Sequence, residues 1–364
     1  MTVGASPPAR RGEVTFGIDV GGTKVLGVAL DGADRVLAEV RMSAPTVHGR
    51  ERGEAGSAGL VEVLASVVGL LRDELAAGPA GAPATPVSVG VGVPGLVDDH
   101  GVLCFAPNLP VGTGVDVGAR LAASLGDVRV VVDNDATCAA LAEWTVGAAR
   151  GLTDAITVTL GTGIGGGIMA GGRVLRGANG FAAEIGHMVV DPGGPPCPCG
   201  KRGCWERYAS GSGLGRLARE AAHAGRLDAV VELAGGDPED VRGEHVTSAA
   251  AAGDAGAQAV LADLGWWLAL GLANLAAVLD PAAFVLGGGL AEHLDLVLAA
   301  TRTAFDELLV DREYRPPIDI RMAALGERAG AIGAALAARE ESRHHAGGHE
   351  AGGHEAGGHG AGGA

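Results

Sequence analysis

The sequence predicts an α/β protein with two similar domains that face each other. Its 364 residues are enough for two domains of about 100–200 residues each. The same order of apolar runs and glycine-rich turns occurs twice, beginning near residues 14 and 155. A repeat of about 140 residues indicates duplicated α/β units. Hydrophobic residues make up 47% of the chain, which supplies a core for each unit.

The first copy begins with three extended segments joined by short turns. The first apolar run ends at Asp19, the second begins at Val25 after a Gly-Gly-Thr turn, and a third extended segment covers 35–42. Short turns between extended segments predict an antiparallel meander. A helical pattern over 57–77 and a strand over 87–95 follow it.

The second copy repeats this order. Residues 155–176 contain two apolar runs around a Gly-Thr-Gly turn, followed by a Gly-Gly turn. A helical pattern over 257–279 and a strand over 283–290 complete the copy. The 16-residue apolar stretch 264–279 is shorter than the roughly 20 residues that span a bilayer, so we expect a buried helix there.

The two glycine turns differ from the familiar phosphate-binding loops that lead into helices. Lys24 is followed by valine and a strand pattern, so neither the Walker A spacing nor a Rossmann fingerprint fits. A strand–turn–strand hairpin remains, and its backbone N–H groups can bind phosphate oxygens. Two such hairpins at equivalent positions favour a phosphate clamp between the domains. Gly-Gly-Thr is also an ordinary turn, however, and Lys24 could be an ordinary surface lysine.

A run of polar residues stands where a predicted strand changes into a helix. The apolar strand ends at Val132, and the helical pattern follows Asn134 and Asp135. Open α/β sheets bind ligands outside the carboxyl ends of their strands. The helix dipole keeps an N-terminal aspartate ionised, which suits a carboxylate that accepts a hydroxyl proton. Capping of the helix explains Asp135 equally well.

A short stretch rich in proline and glycine contains three of the five cysteines, Cys197, Cys199 and Cys204. The first two are too close for good disulfide geometry, and the spacing is not the C-x-x-C of a redox pair. Thiolates spaced in this way can converge on one cation, and zinc prefers four nitrogen or sulfur ligands. The nearest candidate for the fourth ligand is His187, so the sequence predicts a structural zinc site.

Two glutamates flank this stretch. Glu184 lies three residues before His187, and Glu206 lies two residues after Cys204. A closed metal loop would bring both carboxylates and the imidazole together, and acceptors clustered in this way can bind the vicinal hydroxyls of a sugar. Either glutamate alone could also be a solvated loop residue.

The net charge and the composition of the chain ends disfavour some classes of protein. The 27 basic and 43 acidic residues give a net charge of −16, which repels nucleic acid and anionic membranes. We recognise no signal-peptide pattern and predict a cytoplasmic location, where cysteines stay reduced. Residues 1–13 are predicted to be flexible, and the His/Gly-rich segment 342–364 is predicted to be disordered.

Together these motifs resemble the ROK family of sugar kinases, and within it the bacterial ATP-dependent glucokinases. The resemblance extends from about residue 14 to 341 and rests on DVGGTK (19–24), NDA (134–136), GTGIGGG (161–167), EIGH (184–187), CPCGKRGCWE (197–206) and LGGGL (286–290). It implies the two-domain, actin-like or hexokinase-type (ribonuclease H-like) ATPase fold with a cleft between the domains.

The resemblance also implies domain limits. These are an N-terminal α/β domain over 14–134, a C-terminal α/β domain over 135–327 with a zinc loop at 187–204, and a helix over 328–341 that returns to the first domain.

Each motif takes an implied role. Asp135 would be the general base that takes the proton of the sugar 6-hydroxyl. The sugar would be held by Gly95, Asn134, Asp135, Glu184, His187 and Glu206. ATP and Mg²⁺ would face Asp19, Gly21, Gly22, Thr23 and Lys24, with a second phosphate loop at Gly161, Thr162 and Gly163 and the adenosine near Gly287 and Gly288. Structural Zn²⁺ would be bound by His187, Cys197, Cys199 and Cys204.

The implied activity is ATP-dependent phosphorylation of glucose. The same motifs serve kinases of fructose, N-acetylmannosamine and N-acetylglucosamine, and Ala183 stands where the family usually has glycine, so the sugar stays open. Non-catalytic sugar-sensing repressors are a further alternative, but we expect the 18 residues before Asp19 to be too few for a DNA-binding domain. Polyphosphate in place of ATP also stays open, and a homodimer or dimer of dimers is expected from the resemblance alone.

Overall fold

The structure is a computed structural model, and it describes residues 13–44, 53–78, 85–126, 128–290 and 295–343 and the backbone of 344–350. Of the two segments predicted to be flexible or disordered, residues 1–12 and 351–364 lie outside the described residues.

The first half of the chain builds one sheet. Its strands are β1 Val14–Val20, β2 Lys24–Asp31, β3 Val36–Ser43, β4 Ser88–Val93 and β7 Arg129–Asn134. Between β4 and β7 in the chain, β5 Leu96–Val97 and β6 Leu103–Phe105 form a separate hairpin. In the described part of the chain the sheet order is β3-β2-β1-β4-β7, with β1 to β3 antiparallel and β4 and β7 added in parallel. The parallel register places Asp19 beside Gly92 and Val93 beside Asn134. The carboxyl ends of β1, β4 and β7 therefore meet at one edge.

The second half repeats this arrangement. Its strands are β8 Ala155–Leu160, β9 Ile164–Ala170, β10 Arg173–Val174, β11 Ala283–Gly287 and β12 Asp319–Met322. As far as the chain is described, their order is β10-β9-β8-β11-β12, again three antiparallel strands followed by two parallel ones. The register places Gly287 beside Thr159, next to the second glycine turn. The duplication predicted from the sequence is confirmed.

The helices of the described residues pack on these sheets or on one another. They are α1 Glu54–Ala77, α2 Val117–Leu125, α3 Asp135–Thr145, α4 Glu206–Ala209, α5 Gly211–His223, α6 Asp228–Leu233, α7 Gly243–Ala251, α8 Ala255–Leu279, α9 Asp295–Leu308 and α10 Ala329–Glu350. The last helix differs from expectation, because it continues to Glu350 whereas disorder was predicted from residue 342. Arg343 and Ala346 have good helix propensity, so the backbone can continue as a helix beyond residue 342.

Helix α10 returns to the first sheet and lies directly against β1 and β4. Two glycines permit this approach. A Cβ on Gly17 would lie 1.9 Å from the carbonyl oxygen of Ala331, and a Cβ on Gly90 would lie 1.8 Å from that of Ala334. No larger residue fits at either position while the helix keeps its place.

Helices α1 and α8 are long and apolar enough to cross a membrane by length and composition alone, a test that core helices of soluble proteins also pass. In this structure α8 is the centre of a core, where Leu268 and Leu272 are buried around Trp205. Leu60 of α1 is buried in the same cluster as Phe16 of the first sheet. Both helices therefore bury an apolar face inside the protein.

Candidate active site and metal centre

A cavity of about 970 Å³ lies where the strand ends of the two sheets meet. Residues from both halves of the chain line it, among them Asp19, Thr23, Lys24, Gly161, Thr162, Gly287 and Gly288. The structure thus brings to one cavity residues that the resemblance assigned to ATP and magnesium.

The two glycine turns close equivalent hairpins. The N–H of Gly21 donates to the carbonyl of Lys24 at 2.8 Å, and the N–H of Gly161 donates to the carbonyl of Gly163 at 3.0 Å. The second turn is also held from behind, since the N–H of Gly211 at the start of α5 donates to the carbonyl of Gly161 at 2.8 Å. The two turns therefore lie at matching places on the two sheets.

Lys24, at the end of the first turn, forms an ion pair with Glu327. Nη1 of Arg41 donates to the other carboxylate oxygen of Glu327 at 2.9 Å. Gly22 and Thr23 beside it are exposed. The cation predicted next to the first turn is thus held at the cavity wall by a carboxylate.

Helix α3 begins at Asp135, but its N-cap is Asn134. Oδ1 of Asn134 accepts the N–H of Thr137 at 3.0 Å, and Nδ2 donates to the carbonyl of Gly95 at 3.1 Å. Oδ1 of Asp135 accepts the N–H of Ala136 at 2.8 Å, and burial raises the pKa of this carboxyl group. Capping therefore explains Asn134 but not Asp135.

Asp19 and Asp135 share one pocket at the edge of the first sheet. A Cβ on Gly92 would lie 3.5 Å from Oδ1 of Asp19 and 3.4 Å from Cα of Asp135. Burial and then the charge of Asp135 raise the pKa of Asp19 to about 7, although Lys24 acts in the opposite direction. Two carboxyl groups this close suit a divalent cation, because the cation removes their repulsion.

The four predicted zinc ligands come together. The candidate ligand atoms of His187, Cys197, Cys199 and Cys204 all lie within 4.8 Å of one another. The Sγ atoms of Cys199 and Cys204 are 3.5 Å apart, and Sγ of Cys197 is 3.8 Å from Nδ1 of His187. Three thiols and one imidazole are a donor set that fits tetrahedral structural zinc.

Glu206 and Glu184 border this cluster. Oε1 of Glu206 is 3.1 Å from Sγ of Cys197 and 3.6 Å from Nδ1 of His187. Oε2 of Glu184 is 4.0 Å from Nε2 of His187, and burial raises the pKa of Glu184. Oε2 of Glu206 faces the second glycine turn, since a Cβ on Gly163 would lie 2.5 Å from it. The thiol cluster, both glutamates and the second turn therefore form one continuous group.

Ala183, directly before Glu184, has a left-handed backbone with φ of 70°. Alanine is strained in this conformation. The N–H of Ile185 donates to the carbonyl of Ala183 at 2.7 Å, so a tight turn presents Glu184. Ala183, which stands where the family usually has glycine, therefore has a backbone conformation that favours glycine.

Comparison with known proteins identifies the family. The sequence pattern of the ROK family matches residues 15–341. The chain belongs to the ROK family. It is 38% identical to a glucokinase of Streptomyces coelicolor over 90% of this chain and 98% of that protein. It is 34% identical to an N-acetylmannosamine kinase of Escherichia fergusonii over 90% of this chain and 99% of that protein.

A solved ROK structure has the same fold. The crystal structure of a ROK family glucokinase from Streptomyces griseus in complex with glucose and AMPPNP is similar with a TM-score of 0.75 and 36% identity, covering 90% of this chain and 99% of that chain. Two sheets of one strand order with a returning helix are the two-domain, actin-like architecture of ROK kinases. The predicted fold class is confirmed.

Sequence reasoning missed some residues of this ROK site. Ser212 and Glu244 line the cavity at the starts of α5 and α7, and Glu327 lines it after β12. A serine near a helix start is too common a signal to mark a site. Glu327 belongs to no recognisable motif, and it lines the cavity because the fold brings the segment after β12 next to the first glycine turn.

Proposed function

We propose that this ROK protein is an ATP-dependent glucokinase, which transfers the γ-phosphoryl group of ATP to the 6-hydroxyl of glucose. The observation that carries the proposal is the position of Asp135. It shares a small cavity with Asp19 and Gly287 on the nucleotide side. On the sugar side, burial is the largest cause of the raised pKa of Glu184, and the charge of Asp135 raises it further. A carboxylate between the two substrates is where a base for the 6-hydroxyl belongs.

Asp135 accepts the proton of the 6-hydroxyl while that oxygen attacks the γ-phosphorus. Its raised pKa makes it a stronger base than an ordinary aspartate. Phosphoryl transfer depends mainly on positioning and charge neutralisation, so one base and a well-held pair of substrates suffice.

The sugar is held on the zinc side of the cleft. Glu184, His187 and Glu206 accept or donate hydrogen bonds to its hydroxyl groups, with Asn134 and the backbone at Gly95 on the opposite side. The hydrogen bond from Asn134 to Gly95 supports this, since it keeps the two sugar-side elements of the first half together.

The nucleotide lies across the large cavity. Gly21, Gly22 and Thr23 offer backbone N–H groups to the phosphates, and Gly161, Thr162 and Gly163 do so from the other sheet. Lys24 exchanges Glu327 for a phosphate, and the adenosine lies near Gly287 and Gly288. Asp19 would hold the magnesium ion, which, when bound, would neutralise phosphate charge.

The thiol cluster binds structural zinc through His187, Cys197, Cys199 and Cys204. These four residues would hold the ion with no position left for a substrate, so zinc, when bound, would order the loop and take no part in the reaction. Because Oε1 of Glu206 lies next to two of these ligands, an ordered loop fixes Glu206 and His187 toward the sugar.

A kinase of N-acetylmannosamine is the second candidate, supported by a relative of that name with 34% identity over 90% of this chain. Fructose and N-acetylglucosamine are further alternatives among the hexoses. We place the enzyme in the cytoplasm as a homodimer or dimer of dimers without nucleic-acid or membrane partners, in keeping with its net charge of −16.

An ADP-release assay tests the activity. Glucose, fructose, mannose, N-acetylglucosamine and N-acetylmannosamine are compared at equal enzyme concentration with ATP as donor. With polyphosphate as donor no ADP is released, so formation of the sugar phosphate is measured instead. We expect the highest kcat/KM for glucose with ATP. A higher kcat/KM for N-acetylmannosamine would favour the second candidate, and no phosphorylation of any of the five sugars would contradict a hexose kinase.

A further inference from the structure

Glu143 is a completely buried carboxylate that the proposed reaction does not use. It lies on α3, two turns after Asp135, and its exposed fraction is 0%. Taking a carboxylate out of water is costly unless hydrogen bonds replace the water. A residue of this kind in the interior requires a specific set of donors.

Three backbone N–H groups supply those donors. Oε2 of Glu143 accepts the N–H of Ala148 at 2.8 Å. The N–H of Ala324 donates to both carboxylate oxygens at 3.0 and 3.1 Å, and the N–H of Leu325 donates to Oε1 at 2.9 Å. Glu143 therefore ties α3 to the loop behind it and to the crossover, which we define as residues 323–328 between β12 and α10.

The crossover is a wall of the nucleotide cavity. Ala323, Gly326 and Glu327 line that cavity, and Glu327 is the partner of Lys24. Glu143 also lines the small cavity that contains Asp19 and Asp135. One buried carboxylate thus fixes the nucleotide wall relative to the helix that begins with Asp135.

We propose that Glu143 is a positioning residue that sets ATP affinity by holding the crossover against α3. This inference rests on the proposed function, because it assigns the large cavity to ATP. The sugar-side groups Asn134 and Glu206 make no hydrogen bond to the crossover among the described contacts. Loss of the Glu143 charge therefore weakens ATP binding and leaves glucose binding in place.

The test uses Glu143→Gln, which keeps the shape but replaces an acceptor by an NH₂ group that faces backbone donors. Calorimetric titration with AMPPNP and with glucose gives the two dissociation constants, and kinetics give the two KM values. We expect the AMPPNP Kd and the ATP KM to rise about tenfold, while the glucose constants stay within about twofold. Hydrogen–deuterium exchange of peptides covering 320–328 should become faster.

A second variant covers the case in which Glu143→Gln does not fold. A Cβ on Gly147 would lie 2.2 Å from Oε2 of Glu143 and 2.8 Å from its Cα, so Gly147→Ala displaces Glu143 with its carboxylate but does not remove the charge. The same split between the two substrates is expected. Thr145→Val is the matched control, since the Thr145 hydroxyl donates within α3, to the carbonyl of Leu141 at 2.7 Å, and among the described contacts it makes no hydrogen bond to the crossover.

The outcomes separate the two proposals. Wild-type protein without hexose phosphorylation contradicts the proposed function. If the wild-type protein is active and the folded variants weaken the binding of both substrates equally, or of neither substrate, the positioning role of Glu143 is overturned. The Thr145→Val control should leave the ratio of the two KM values unchanged.

Discussion

Asp19 at the end of β1 and Asp135 at the start of α3 line the same pocket, and both lie next to Gly92. Burial and then the charge of Asp135 raise the pKa of Asp19 to about 7. The enzyme thus keeps two carboxyl groups in an arrangement that weakens the fold. In our account one holds the magnesium ion and the other takes the hydroxyl proton.

Substitution of Asp19 should therefore stabilise the protein. The pKa of Asp19 rises from its ordinary 3.8 to about 7 on folding, so the folded state binds the proton more tightly. As the pH rises from about 4 to 7, ionisation of Asp19 lowers the free energy of unfolding, and above pH 7 this loss is complete. We expect Asp19→Asn to raise the free energy of unfolding by about 1–3 kcal/mol at pH 8, because a tenfold change in acidity is worth about 1.4 kcal/mol. Below about pH 4 this gain disappears.

Urea unfolding at pH 8 and pH 4, without added magnesium or nucleotide, measures this difference. Asp116→Asn is the matched control, because Asp116 is exposed and caps α2, where aspartate and asparagine serve about equally. A gain of the same size at both pH values would mean that ionisation of Asp19 is not its source.

The chain contains two lysines, and only Lys24 lies at the nucleotide cavity. We expect Lys24→Gln to raise the ATP KM about tenfold, the value of one charged hydrogen bond. Its stability should change by less than about 1 kcal/mol, because both partners of the Lys24–Glu327 pair are about half exposed. Lys201→Gln is the control, and an equal effect of both substitutions on the ATP KM would contradict the assignment.

Ala183 allows a test of backbone strain beside the sugar. With φ of 70°, its conformation costs alanine about 1 kcal/mol relative to glycine. We expect Ala183→Gly to stabilise the protein by about 0.5 kcal/mol, after the greater flexibility of glycine in the unfolded chain is subtracted. Ala182→Gly should instead destabilise it. Thermal unfolding measures the stability of both variants, and a change in the same direction for both would contradict backbone strain at Ala183.

The zinc site predicts one metal ion per chain. Elemental analysis of protein that lacks the histidine-rich residues 344–364 should give about one zinc per chain, as one closed site requires. Cys199→Ser should lose the zinc and lower the melting temperature, whereas Cys104→Ser, outside the cluster, should keep it. Wild-type protein without zinc would leave the thiol cluster unexplained.

The features predicted from the sequence are those whose parts lie close together along the chain. Each glycine turn is bounded by its own two strands, and the four zinc ligands lie between 187 and 204. The duplication was visible because both copies use the same turns. Local patterns of this kind determine backbone geometry without help from distant residues.

The features that were missed depend on long-range contacts. Glu143 meets Leu325 across 182 positions, and Lys24 meets Glu327 across 303. Lys24 was predicted from its motif, but nothing near Glu143 or Glu327 in the sequence marks either glutamate. The extension of α10 to Glu350 was not predicted for a different reason, because residues 342–350 contain no apolar residue larger than alanine and therefore no apolar periodicity that indicates a helix.

The central claim is that Asp135 is the general base, and Asp135→Asn tests it most directly. The substitution keeps the shape of the side chain and removes its basicity. We expect kcat for glucose phosphorylation to fall by about 10²–10⁴-fold, while the glucose Kd from calorimetry changes by less than about threefold. A folded Asp135→Asn protein that binds glucose and retains near-wild-type kcat would contradict the account.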